Sequence, residues 1–142
     1  MWFGGMIFIS LILRPSIMRR RDYPEIIDVL ARKFSKITWF FIFPVLFVSG
    51  FFNSYFRTGE INPFEWSKYD PGKIALIKLH LFFLIIILSA LHDFKFGPKA
   101  VELMKSGANP EKFRKLSGIV GRVNFLLGVV MLILGILVVR GC

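Results

Sequence analysis

The chain has 142 residues, enough for one domain, and is 55% hydrophobic and 16% aromatic with a mean hydropathy of +0.63. That is too apolar for a soluble fold of this size. The formal charge of +10 would point to nucleic acid in a soluble protein, but here the basic residues lie between four apolar blocks, so charge reports membrane topology and nucleic acid is excluded as a partner.

The first block is 1–18. Trp2 and Phe3 suit a membrane interface. Thirteen residues before Arg14 rise only about 20 Å, short of the ~30 Å of hydrocarbon. Either the helix continues past Pro15 with Arg14 snorkelling, or a further turn precedes it. Gly4 and Gly5 remove side-chain bulk and let another helix approach. Residues 19–36 are basic and amphipathic, with Pro24-Glu25 as a helix start and Ile26, Ile27, Val29, Leu30 and Phe34 as an apolar face.

The second block is 37–56, with Trp39 and Tyr55 at its ends and a kink expected at Pro44. Residues 57–72 read as a polar loop with Trp66 and Tyr69 at the interface. The third block, 73–96, holds the longest apolar run, 81–91, broken only by Ser89. Asp70 is expected to cap it, with Pro71 in the first turn and Gly97-Pro98 ending it. A second basic stretch, 99–122, contains the helix start Asn109-Pro110-Glu111. The fourth block is 123–139.

These blocks predict an all-α integral membrane bundle of four transmembrane helices in a single domain, 1–142, with short amphipathic cytoplasmic helical segments. The connectors 14–36 and 93–122 each carry seven Lys or Arg, against four in 57–78. Positive loops stay in the cytoplasm, so both termini are expected on the periplasmic side of a bacterial inner membrane. The basic connectors are expected to meet anionic lipid head groups.

Polar groups inside a span are costly and are functional candidates. His80 and His92 are the only histidines. Twelve residues apart on one helix, they lie about 18 Å from each other and cannot share one metal ion or one haem. Either imidazole sits neutral at a membrane interface or it binds a haem, a metal or a quinol with a partner from another helix. Lys78 either snorkels outward or faces the bundle as a cation for a propionate or another anion. Asp93 is placed to pair with Arg14, joining the first and third spans. Gly121, Gly128 and Gly135 recur every seven residues and read as a packing seam, with Asn124 hydrogen-bonding across it. The one cysteine, Cys142, excludes a disulfide framework and a cysteine metal cluster. Phosphate loops, nucleophile elbows and paired carboxylates are absent from the sequence.

Trp2-Phe3-Gly4-Gly5, then Arg14-Pro15, then Lys78-Leu79 opening the third span, resemble the CopD-like copper-resistance membrane proteins, a group that also includes the HemJ-type protoporphyrinogen oxidases. His92-Asp93 with Gly97-Pro98, and Gly121-Arg122-Val123-Asn124, look like features of bacterial members of that group. The resemblance implies a four-helix inner-membrane bundle and either copper transport or homeostasis, or porphyrinogen or quinol oxidation assisted by haem b. It carries over Lys78, and with it His92, as cofactor-binding candidates. A third reading, a non-catalytic subunit of a larger membrane complex or a homo-oligomer, stays open beside these. If the chain is an enzyme, it is an oxidoreductase of the protoporphyrinogen oxidase type.

Overall fold

The computed structural model describes residues 2–140, apart from the side chains of Trp2, Phe3, Pro71 and residues 138–140. Met1, Cys142 and the side chains of the Trp2-Phe3 pair therefore lie outside the described residues, as does the far end of the fourth block. Every regular element among the described residues is helical. A first helix takes residues 2–17 and a second Tyr23–Thr58. A short 3-10 segment, Pro63–Lys68, leads into a third helix over residues 70–105, and a fourth runs over Glu111–Arg140.

Three of these helices are long and apolar enough to cross a membrane: Tyr23–Thr58, Gly72–Lys105 and Glu111–Leu137. The apolar helix Gly4–Ile17 is shorter. The second helix, at 36 residues, rises about 54 Å, well beyond the ~30 Å of hydrocarbon. The amphipathic segments expected as separate short helices are thus extensions of the long ones. Residues 23–36 continue into the apolar block 37–56 without a break, and 97–105 continue out of the third block.

Prolines explain how. Pro15, Pro44 and Pro98 each stand two residues after the end of a π-helical turn: Ile9–Leu13, Thr38–Ile42 and Leu91–Phe96. A proline inside an α-helix lacks an N–H, and its ring clashes with the carbonyl four residues back. One wider turn moves that carbonyl aside and the helix goes on. Gly97-Pro98 therefore does not end the third helix. The Gly97 N–H reaches the His92 carbonyl five residues back. A Cβ at position 97 would stand 2.9 Å from that oxygen, so the wide turn requires glycine there.

One other expectation changes. Asp70 does not cap the third helix with its side chain; it is the first helical residue and pairs with Lys73 at 2.8 Å. Trp66, in the loop, is packed inside the protein. It is 2% exposed, donates its indole N–H to the Glu60 carbonyl at 2.8 Å and packs against Phe51. The Asn109 side chain does accept the Glu111 N–H at 2.9 Å, as a cap should.

The core is a narrow seam between the second, third and fourth helices. Phe43, Phe82 and Ile85 are buried, with Trp39, Ile86, Leu127 and Met131 packed against them. Outside, large apolar side chains such as Phe40, Phe56, Phe94 and Leu126 are exposed. A water-soluble protein would not carry so much apolar surface; lipid solvates it. At one end Lys105 reaches Asp28 at 2.8 Å. The two basic stretches therefore share one end of the bundle, while Trp66 closes the other.

Candidate functional site

Lys78 lies at the Trp66 end. The wall of a cavity of about 500 Å³ is made by the second helix through Phe43 and Phe47, by the third through Lys78, Phe82 and Ile85, and by the fourth through Gly128 and Met131. Trp66 and Ala75 complete it on the outer side. Its polar groups are Ser49, Asn53, Ser54 and Lys78. Ser49 and Ser54 donate their hydroxyl hydrogens to backbone carbonyls of their own helix, to Leu46 and Gly50. Lys78 is the charged side chain of the wall. Its Nζ lies over Gly135, 3.5 Å from where a Cβ would stand. Among the described residues no carboxylate pairs with it. A half-buried ammonium in an apolar pocket is arranged to receive an anion.

The other end is built by two π turns facing each other. Trp39 lies in the π turn of the second helix; His92 and Asp93 lie in that of the third. One Asp93 oxygen accepts from Ser35 Oγ at 2.8 Å and from the Trp39 indole N–H at 3.2 Å. The other contacts His92 Nδ1 at 2.9 Å. An ionised carboxylate only accepts, so His92 Nδ1 carries the hydrogen in this contact. Nε2 faces the fourth helix, 3.9 Å from where a Cβ would stand on Gly121. The Asp93 carboxylate thus clasps the second and third helices and orients the His92 ring.

One turn deeper, Asn124 donates its side-chain N–H to Ser89 Oγ at 2.7 Å, both residues being buried. The bond joins the third and fourth helices across the seam of small residues.

Other candidates fall elsewhere. His80 is exposed and its Nδ1 bonds the Leu76 carbonyl at 2.8 Å, away from the cavity wall. Arg14 is exposed and does not pair with Asp93, because Ser35, Trp39 and His92 occupy that carboxylate. Gly4 faces open space, whereas Gly5 sits against the Phe34 ring. Gly128 is buried on the cavity wall. Lys78 and His92 are fourteen residues apart, about 21 Å along one helix, and mark opposite ends of it.

Sequence reasoning missed Ser35 and Trp39 as partners of the third helix and Thr38 as a buried residue. The signal was Pro44. A widened turn before it shifts the face by one residue, so that Thr38 and Phe43, five apart, both turn inward and are buried. Trp66 as a cavity wall had no signal beyond its apolar ring.

Among the described residues, no three His, Cys, Asp or Glu side chains converge as metal ligands. No family model matches the chain, and no solved structure matches it. It is 30% identical over 139 residues to an uncharacterized protein of Aquifex aeolicus (strain VF5), a match that takes in 95% of this chain and 83% of that one. With that identity over that share of both chains, the protein belongs to one family with the Aquifex aeolicus protein.

Proposed function

We propose that the chain is a four-span inner-membrane protein of the CopD-like type, and that it binds an amphiphilic anion, a long-chain or polycyclic carboxylate, in the Lys78 cavity. In this reading the first helix completes the bundle, the basic end faces the cytoplasm and both termini face outward. The exposed Arg19–Arg21 and Lys112–Lys115 segments then lie where anionic head groups can meet them.

One observation carries the reading: a single charged side chain, Lys78, on the wall of an otherwise largely apolar cavity of about 500 Å³. Apolar walls hold the hydrophobic body of a ligand, and a few placed polar groups fix its head. An ammonium half removed from water gains most from a carboxylate. The donor sets for copper and haem b fit less well. Copper transfer needs converging soft ligands, and Met131 stands without His or Cys on the cavity wall. Haem ligation needs an imidazole beside the propionate site, and His92 lies about 21 Å from Lys78.

Dibromostearate tests the reading, because its bromines quench the Trp66 indole in the cavity wall. Quenching should saturate in the detergent-purified protein, and Trp66→Phe should remove the saturable part. Lys78→Met should weaken binding by about tenfold or more, the worth of a charge-assisted hydrogen bond. The methyl ester should bind no better to the native protein than to Lys78→Met. Equal affinity of both proteins for the acid would overturn the reading.

A further inference from the structure

We propose that Thr38, Ser89 and Asn124 form a hydrated polar layer, a water-binding constriction that joins the Lys78 cavity to the His92–Asp93 end of the bundle. Each of the three long helices supplies one of these residues. They are among the most buried in the protein, at 2%, 5% and 4% exposure.

Register places them in one layer. Thr38 opens the π turn that leads to Phe43, so five residues bring the two onto one face. Ser89 lies one turn beyond Ile85, and Asn124 one turn before Gly128. Phe43, Ile85 and Gly128 all line the cavity. The layer is therefore the cavity's next turn. One turn further lie Ser35, Asp93 and Gly121, the surroundings of His92.

The layer is not self-sufficient. Asn124 Nδ2 reaches Ser89 Oγ, but Asn124 Oδ1 and Thr38 Oγ1 are buried with no hydrogen-bond partner in the protein. Buried polar atoms are nearly always satisfied, and where protein does not do it, water does. Asn124 Oδ1 only accepts, and the Thr38 hydroxyl both donates and accepts, so a guest that can donate and accept satisfies both. A cation would need a charge to balance it, and both Asp93 oxygens already accept hydrogen bonds from Ser35, Trp39 and His92. A neutral guest remains, and water, which both donates and accepts, matches the two groups. Water thus enters the cavity from the His92 end while the Phe43, Phe82 and Ile85 core excludes anything larger.

The proposal does not depend on what the cavity binds, and its test uses no ligand. Cys142 is the one cysteine of this sequence, so Cys142→Ser gives the same chain without thiols. Ser89→Cys, nearly isosteric, then places one thiol in the layer; Ile86→Cys places one in the apolar core. Infrared spectra in D2O follow the thiol hydrogen as it exchanges for deuterium. Exchange at position 89 should be about tenfold faster than at position 86, because one is wetted and the other opens only by local unfolding. Adding Thr38→Val should slow exchange at 89 by a similar factor. Thr38→Cys, read the same way, serves if Ser89→Cys fails to fold. Equal rates in the layer and the core would overturn the proposal.

Discussion

Asn124 donates its side-chain N–H to the Ser89 hydroxyl at 2.7 Å, and that bond sets the register of the third helix against the fourth. Moving toward the basic end, His92 reaches Gly121, three residues on in one helix and three back in the other. Moving away from it, Lys78 reaches Gly135, eleven back in one and eleven on in the other. The helices are antiparallel, and the seven-residue glycine repeat lays a small residue under each polar group. A glycine seam therefore packs the helices and also makes room for an imidazole at one end and an ammonium at the other.

Ser89→Ala should cost about 0.6–1.7 kcal/mol, the range of hydrogen bonds between membrane helices. Asn124→Ala should cost more, since it also opens space. Unfolding in mixed micelles of rising dodecyl sulfate measures both. In a double-mutant cycle the two should couple. Additive losses would mean the bond contributes nothing.

Asp93 is the more exacting position. Asp93→Ala leaves the Trp39 indole, the Ser35 hydroxyl and His92 Nδ1 without their acceptor. A partly buried charge-assisted group of this kind is worth about 2–3 kcal/mol, so the loss should exceed that of Ser89→Ala. Asp93→Asn keeps an acceptor oxygen and should lose less. The His92 Nδ1 proton resonance should vanish or exchange rapidly in Asp93→Ala and survive in Ser35→Ala.

Much of this architecture was legible in the sequence, because apolar length and charge placement are set by the bilayer itself. The long apolar segments, the cap at Asn109 and the candidacy of Lys78 and His92 follow from single residues in context. What could not be read was the shift produced by a π turn. Pro44 and Pro98 announce a disturbance, but only the folded chain shows that it is absorbed by one extra residue per turn. That residue rotates Thr38 and Trp39 inward, gives Asp93 partners on the second helix, and so removes Arg14 as its counter-ion. The packing of Trp66 was missed for a similar reason. An indole in a polar loop reads as an interface anchor until the Glu60 carbonyl is seen to take its N–H.

Gly97 and Gly4 should respond to alanine in opposite ways. At Gly97 a methyl would meet the His92 carbonyl oxygen at 2.9 Å, and a backbone oxygen cannot yield without unwinding the turn. Gly97→Ala should cost about 1–3 kcal/mol, as overpacking does. At Gly4 nothing lies within 4 Å, so Gly4→Ala should be neutral or gain up to about 1 kcal/mol from helix propensity. The same micelle titration ranks them. A neutral Gly97→Ala would show that the wide turn does not need glycine.

The Asp28 cluster gives the basic end its own acid sensitivity. Asp28 lies on the amphipathic arm of the second helix, outside the apolar block, with its side chain 15% exposed. It accepts from Arg32 at 2.9 Å and from Lys105 at 2.8 Å. The Arg32 guanidinium first, and then the Lys105 ammonium, hold its carboxyl below the usual carboxylate range. A carboxyl with a depressed folded-state pKa binds its proton more readily when unfolded, so it stabilises the fold above the unfolded value. That contribution is lost as pH falls through the lower, folded value. Asp28→Asn should therefore be less stable than the native protein at pH 7, and the gap should close by about pH 2. Lys105→Met should lose the contact with Asp28, which among the described residues ties the arm of the second helix to that of the third, and leave the Arg32 pair within one helix. Stability followed against pH should change less in that variant than in the native protein, because one of the two cations that hold the Asp28 carboxyl low is gone. A gap between native and Asp28→Asn that stayed constant across the titration would show that the carboxylate's charge is not what holds this end together.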